Sequence, residues 1–377
     1  MSLPDMKVII SGGGTGGHVF PAIAIADALK EMNPGIDILF IGAEGRMEME
    51  KVPDAGYPIK GLWISGIHRR LTIKNISFPF KLIHSTLTAR KIIKEFKPNV
   101  VVGVGGYASG PALRAAASFN IPIVLQEQNS YPGITNRLLA KKASFICVAY
   151  PGMEKHFPKE KIVLTGNPVR KGIANDITPR EGALRYFNLD PDKPVILSVG
   201  GSLGAQTLNN SIVAGINQFE NKGIQVIWQT GKYFADTAEK KLKDNDSRGI
   251  LAFKFIDRMD LAYSAADVVI SRAGALAISE ISLRGKPCIL VPSPNVAEDH
   301  QTHNAMSLVS RDAALMVTDA SAVENLVATA IRLATDEDLQ KKLSDNIEKL
   351  ASPNAAIEIA RIVTNCAKSS IKTRYEY

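Results

Sequence analysis

The chain has 377 residues, 45% hydrophobic and 22% charged, with a formal net charge of +8. That apolar content excludes a disordered chain, and the length exceeds what one core usually serves, so two domains are expected. Three widely spaced cysteines (Cys147, Cys288, Cys366) without CxxC spacing exclude a disulfide scaffold and suit a reducing compartment.

In chain order, short apolar runs alternate with helical patterns. Residues 7–11 predict a strand, followed by a glycine cluster and a helix over about 19–32. Strands are expected at 36–41, 100–104 and 121–125. The spacing of Leu82, Ile83, Leu87, Ile92, Ile93 and Phe96 predicts a helix covering the sheet. The pattern restarts at 195–199, with a glycine cluster and a helix over about 205–219. Strands follow at 224–228, 252–255, 268–270 and 288–291. Nearly continuous apolar strands alternating with helices predict an α/β protein with two doubly wound parallel sheets. The Gly/Pro/Asn/Asp-rich stretch 166–194 reads as a connector, which places the boundary near 170. Ser352-Pro353 predicts the start of a last helix with one apolar face. No signal-peptide pattern precedes the first strand and no 18 consecutive residues stay apolar, so a cytoplasmic protein is expected.

The charge is uneven. Residues 1–170 hold 21 Lys+Arg against 12 Asp+Glu, and residues 171–377 hold 24 against 25. Within 60–97 there are nine basic residues and one acidic residue, Glu95. Such an excess implies an anionic partner.

Glycine-rich loops follow several predicted strands. GGGTGGH (12–18) puts five glycines in six positions before a helix, more than a tight turn needs, and a helix start offers N–H groups to an anion. It is no P-loop, because no Gly-Lys-Ser/Thr follows. The acidic residue that would read an NAD ribose about 20 residues on is missing. A second loop, GVGGYASGP (103–111), also sits at a strand's C-terminal end. In GGSLGAQ (200–206), Ser202 can donate its hydroxyl while backbone amides hold a diphosphate. Two such loops opening two domains suggest a ligand bound by both. In SRAGALAISE (271–280), Glu280 can accept two ribose hydroxyls or simply sit at a helix start favoured by the dipole. His300 and His303 share a helical face without an apparent third metal ligand, whereas Gln301 and Asn304 suit sugar hydroxyls. QEQNS (126–130) concentrates amides at another strand end. GNPVR (166–170) puts Arg170 at the connector, as a ligand contact or an ordinary salt-bridge residue. Three Asp-x-Asp matches (190–192, 244–246, 336–338) read as turn or cap residues. No metal and no cofactor is therefore expected.

Taken together and in order, GGTGGHVFPA, GGYASGP, EQNSYPGITN, GNPVR, GGSLGAQ, SRAGALAISE and DHQTHNA closely resemble the bacterial undecaprenyldiphospho-muramoylpentapeptide β-N-acetylglucosaminyltransferases of peptidoglycan synthesis. The resemblance runs from about Lys7 to the last helix. It implies the GT-B fold, two Rossmann-like domains facing across a cleft. It implies transfer of N-acetylglucosamine from UDP-N-acetylglucosamine to lipid I, giving lipid II with inversion. Residues 1–170 would form the acceptor and membrane-facing domain, with 352–377 packing back on it, and 171–351 the UDP-sugar domain. Carried over by position, Thr15, Gly16 and Gly17 lie at the donor sugar and pyrophosphate. Asn129 contacts the sugar, and Arg170 and Ser202 the phosphates. Ile256 reads uracil through its backbone. Ala275, Leu276, Ala277, Ile278, Ser279 and Glu280 line the nucleotide, with Glu280 on the ribose. Gln301 reads the sugar hydroxyls, and His18 is base or transition-state support. Ala277 stands where some relatives carry threonine, which leaves only a backbone amide there.

Because an undecaprenyl acceptor stays in the bilayer, the resemblance also implies docking on the anionic cytoplasmic membrane surface as a peripheral protein. The stretch 62–80 is the expected face: Leu62, Trp63, Ile64, Ile67, Leu71, Ile73, Ile76, Phe78 and Phe80 interleave with Arg69, Arg70, Lys74 and Lys81. Two other readings remain at this level. One is another GT-B enzyme, a glycolipid glycosyltransferase or UDP-sugar 2-epimerase. The other is a basic nucleic-acid-binding protein, although no nucleic-acid partner is expected.

Overall fold

A computed structural model describes residues 6–66, 78–174, 178–201, 203–296 and 299–375, with side chains to residue 370. The chain divides into two compact units, Met1–Arg170 with Ser352–Tyr377, and Lys171–Ala351.

The first unit runs β1 (Lys7–Ser11), α1 (Gly16–Met32), β2 (Asp37–Ala43), α2 (Glu48–Asp54), β3 (Ile59–Leu62) and α3 (Phe78–Phe96). It continues with β4 (Val100–Gly103), α4 (Ser109–Ser118), β5 (Ile123–Glu127), α5 (Ile134–Leu139), β6 (Phe145–Val148) and β7 (Ile162–Leu164). Its seven strands lie in the order β3-β2-β1-β4-β5-β6-β7, and every adjacent pair is parallel. The register is fixed by buried aliphatics: Val8 faces Ile38 on one side and Val100 on the other.

The second unit opens with α6 (Lys171–Ala174) and α7 (Arg180–Phe187). Next come β8 (Val195–Val199), α8 (Gln206–Asn221), β9 (Gln225–Gln229), α9 (Ala235–Asp244), β10 (Ile250–Phe253) and α10 (Met259–Ala265). It closes with β11 (Val268–Ser271), α11 (Ala275–Leu283), β12 (Cys288–Leu290), α12 (His300–Val309), β13 (Leu315–Met316), α13 (Ala322–Thr335) and α14 (Glu337–Glu348). The order is β10-β9-β8-β11-β12-β13. The last helix, α15 (Ala355–Tyr375), belongs to the first unit. There Ile359, Ala360, Val363 and Cys366 join Val8, Ile10 and Val102 in one core.

Both units are Rossmann-like, as the GT-B class requires. In each, the chain reverses direction across the sheet at its first strand, so the switch points lie between β1 and β4 and between β8 and β11. Open α/β sheets bind ligands outside the strand ends at such points. The loops 12–15 and 104–108 flank the first, and 200–205 and 272–274 the second.

Several expectations need correction. Helix α1 begins at Gly16 rather than near 19, so Gly16, Gly17 and His18 form its first turn. The connector 166–194 holds two helices. Its Ala183, Leu184 and Phe187 are buried, and Arg180 forks onto Asp267 at 3.1 and 2.9 Å. Leu62 and Ile64 are not a membrane face; both are buried beside the sheet. Ile67, Arg69, Arg70, Leu71, Ile73, Lys74 and Ile76 lie outside the described residues. Helix α3 covers the sheet with only part of its apolar surface. Ala89 and Ile93 are buried, whereas Phe80, Ile83 and Leu87 are 70%, 60% and 62% exposed.

Candidate functional site

In the first unit the two glycine loops abut. A Cβ at Gly106 would lie 2.3 Å from the Gly13 carbonyl oxygen, so the backbones touch where no side chain fits. Thr15 caps α1 with an extended backbone, and its carbonyl accepts the N–H groups of His18 and Val19 at 3.0 and 3.1 Å. This first turn carries the His18 ring back so that Nδ1 lies 3.2 Å from Thr15 Oγ1. The other edge of the ring lies over Gly105. A Cβ there would sit 2.7 Å from His18 Cδ2 and 2.8 Å from Nε2, and Gly105 has φ +91°. Space and backbone conformation both demand glycine at this position.

Behind the imidazole lies a buried amide network. Gln128 Nε2 donates to the Val104 carbonyl at 2.7 Å and to Gln126 Oε1. Gln126 Nε2 donates to Asn167 Oδ1 at 3.1 Å, and Asn167 Nδ2 donates to the Gln128 carbonyl at 3.0 Å. Glu127 shapes the following loop. It accepts the N–H of Asn129 at 3.0 Å, the N–H of Gly133 at 3.1 Å and the Asn136 amide at 2.9 Å. Burial pushes its carboxyl pKa up, opposed by these donors. Asn129 is thus oriented through both its backbone and its side chain, which also donates to Glu127 at 3.3 Å. The Arg170 guanidinium lies over the ring of Phe20 of α1, 4.9 Å from its centroid, which draws it towards the first glycine loop.

In the second unit, Ser202 lies outside the described residues. Its neighbours are fixed. Gln229 Nε2 donates to the Gly201 carbonyl at 2.9 Å, and Gln229 Oε1 accepts the Ile256 N–H at 3.0 Å. One buried amide therefore joins the 200–205 loop to the segment holding Ile256. Helix α11 starts at Ala275 after Gly274, which offers no side-chain cap. Geometry leaves the N–H groups of Ala275, Leu276 and Ala277 without intrahelical acceptors, an anion-binding arrangement. Ile278 is buried, and Ser279 Oγ donates to the Ala275 carbonyl at 3.0 Å. Glu280 is buried, and its Oε2 accepts the Tyr263 hydroxyl at 3.2 Å. It is therefore no surface glutamate. Gln301 Oε1 accepts the Ser293 N–H at 2.8 Å.

Sequence reading missed three polar groups that organise these loops: Glu48, Tyr107 and Gln229. Tyr107 packs against Gly14. Burial raises its phenol pKa, with the Arg46 cation opposing. Tyr107 lies within GGYASGP, where the sequence alone gives it no distinct role. Nothing local distinguishes buried Glu48 from its exposed neighbours Glu44 and Glu50.

Two family models match the chain: the glycosyltransferase family 28 N-terminal domain over residues 8–148 and its C-terminal domain over 195–359. A UDP-N-acetylglucosamine–N-acetylmuramyl-(pentapeptide) pyrophosphoryl-undecaprenol N-acetylglucosamine transferase of Phocaeicola vulgatus is 56% identical, covering 96% of this chain and 97% of its own. The protein of the same name from Parabacteroides distasonis is also 56% identical, over 94% and 96%. Among solved structures, Acinetobacter baumannii MurG matches with TM-score 0.76 and 30% identity, covering 96% of this chain and 99% of that one. A Neisseria meningitidis UDP-GlcNAc 2-epimerase matches at TM-score 0.66 but 15% identity, over 97% and 100%, a likeness of fold alone.

Proposed function

The chain belongs to glycosyltransferase family 28, among the UDP-N-acetylglucosamine–N-acetylmuramyl-(pentapeptide) pyrophosphoryl-undecaprenol N-acetylglucosamine transferases, and on that footing we propose how its residues carry out the transfer. The enzyme moves N-acetylglucosamine from UDP-N-acetylglucosamine to the muramoyl 4-hydroxyl of lipid I, forming lipid II. The bond from the sugar C1 to the β-phosphate oxygen breaks as the bond from C1 to the acceptor O4 forms on the opposite face. Negative charge grows on the diphosphate and positive charge on the sugar ring. The N–H groups of Ala275, Leu276 and Ala277 are aligned before the reaction to meet the first charge, the preorganised arrangement that stabilises such transition states. Arg170 and Ser202 are assigned to the same phosphates, and Thr15, Gly16, Gly17 and Asn129 to the donor sugar side. Ile256 is assigned to uracil, Glu280 to the ribose and Gln301, through its amide nitrogen, to the sugar hydroxyls.

The acceptor proton goes to His18. In the tautomer that donates Nδ1–H to Thr15 Oγ1, Nε2 carries the lone pair that a general base needs. The observation that carries this reading is the Thr15–His18 pair at the mouth of the two abutting glycine loops. The test is transfer of labelled N-acetylglucosamine to a lipid I analogue. His18→Ala is expected to lower turnover by roughly 10²–10⁴-fold with UDP affinity intact. Turnover within a few fold of wild type would remove His18 from the chemistry.

Docking at the cytoplasmic membrane surface is part of the same proposal. No helix among the described residues is long and apolar enough to span a bilayer. Phe80, Ile83 and Leu87 make an exposed apolar stripe along α3. Half-exposed Trp63 lies nearby with the Lys81 ammonium 5.4 Å from its ring. Apolar side chains beside a basic segment suit an anionic leaflet, where each Lys or Arg contributes about 1 kcal/mol. Binding to vesicles should rise with anionic lipid and fall with salt. Ile83→Asp combined with Leu87→Asp should weaken it, and unchanged binding would move the face elsewhere. An RNA homopolymer in place of vesicles is expected not to bind.

A further inference from the structure

Glu48 opens α2, yet its side chain turns inward and is 1% exposed. Its carboxylate accepts two backbone N–H groups, Gly14 at 3.0 Å through Oε2 and Ala43 at 3.0 Å through Oε1. It thereby ties the first glycine loop, after β1, to the end of β2. The surrounding glycines make room for it. A Cβ at Gly13 would lie 2.1 Å from Glu48 Oε1, and one at Gly42 would lie 2.6 Å from its Cγ. Gly14 itself has φ +90°, and the next residue is Thr15, which caps α1 and holds the His18 ring. The glycine loop is therefore seated on an internal carboxylate, and one of its amides is already committed to that group rather than to a substrate anion.

We propose that Glu48 is a positioning residue for the transfer: it fixes the Gly14 turn, and through it the Thr15–His18 pair, in the geometry that proton abstraction needs. This rests on the reading of His18 as the base. A carboxylate suits the place because it accepts at both oxygens, whereas an amide would turn an NH2 group towards one of the two N–H donors. Aspartate is one methylene shorter and cannot reach both from the same backbone. Loss of either tie lets the loop shift, and displacement of a reacting group by about 1 Å costs roughly 10²-fold.

The test is a kinetic comparison of Glu48→Gln with wild type, alone and on a His18→Ala background, using a lipid I analogue and UDP-N-acetylglucosamine. Glu48→Gln should lower kcat about 10- to 100-fold, with the acceptor KM and the UDP Kd within about twofold of wild type. On the His18→Ala background it should add almost nothing, because residues acting as one unit are not additive. Gly13→Ala, which pushes the carboxylate off the loop, should reproduce the loss and serves as the test if Glu48→Gln fails to fold. A kcat within threefold of wild type would overturn the proposal, as would a full further loss on the His18→Ala background. If His18→Ala itself keeps its turnover, the reading of the base fails first; if only the Glu48 and Gly13 variants stay active, the positioning role alone fails.

Discussion

Replacing Gly105 by alanine should separate the chemistry of His18 from the stability of the fold. Two costs arise at this position. Alanine at φ +91° sits in a sparsely populated region, worth about 1–3 kcal/mol. The new Cβ would also lie 2.7 and 2.8 Å from the imidazole, where ordinary contact begins near 3.4 Å. The ring or the loop must therefore move by at least about 0.7 Å, which at roughly 10²-fold per ångström predicts a loss of kcat of about 20-fold. Gly152→Ala is the control. Gly152 has φ +82° with nothing within 4 Å of the added Cβ, so it carries the backbone strain without the collision. Both variants should lose stability in urea titrations, Gly105→Ala the more of the two because it adds the collision to the strain. Only Gly105→Ala should lose turnover per folded molecule, measured by transfer of labelled sugar at saturating donor. Equal turnover in the two variants would refute the placement of the His18 ring as a requirement of catalysis.

Other expectations follow from the same geometry. Glu280→Ala should weaken UDP-N-acetylglucosamine binding by about 1.5–3 kcal/mol, the range for charged hydrogen bonds; unchanged affinity by calorimetry would separate Glu280 from the ribose. Gln229→Met breaks both amide ties between the Gly201 loop and Ile256, so the donor KM should rise several-fold while the acceptor KM stays fixed. Activity should persist in excess chelator, because the Asp-x-Asp carboxylates already serve local structure. Asp190 Oδ1 accepts the Asp192 N–H at 3.1 Å and Asp336 Oδ1 the Leu339 N–H at 2.9 Å, while Asp246 pairs with Arg248; rescue of a chelated enzyme by Mn²⁺ would contradict this. Burial depresses the pKa of Lys286 below 10.5, so the unfolded chain binds the proton more tightly. Wild-type stability should therefore rise with pH between the depressed folded value and 10.5 relative to Lys286→Met; parallel urea midpoints at neutral and alkaline pH would count against it.

Local signals wrote much of this protein into its sequence. Apolar runs at 7–11 and 195–199 fixed the first strand of each sheet, because parallel strands covered on both faces must be apolar throughout. The glycine clusters after them marked the turns at the strand ends, since backbone approach without a Cβ is a property of the residue itself. The ordered motifs carried the family. Composition hid helix α7 inside a Gly/Pro/Asn/Asp-rich stretch, and it hid the short strands β3, β6, β7 and β13. Periodicity along 82–96 predicted a helix but left open which apolar residues face the sheet. Ala89 and Ile93 do, whereas Ile83 and Leu87 do not, because the direction in which the helix docks is set by the partner it meets.

The polar organisation of the loops was settled only in three dimensions. Glu48 reaches Gly14 across 34 residues of sequence and Gln229 reaches Ile256 across 27. In the linear chain Glu48 looks like Glu44 and Glu50, both exposed. Sequence determines where a backbone can turn, since that depends on the residue and its immediate neighbours. Which buried carboxylate or amide holds the turn depends on strands brought side by side by the sheet, and those distances exist only once the sheet has formed.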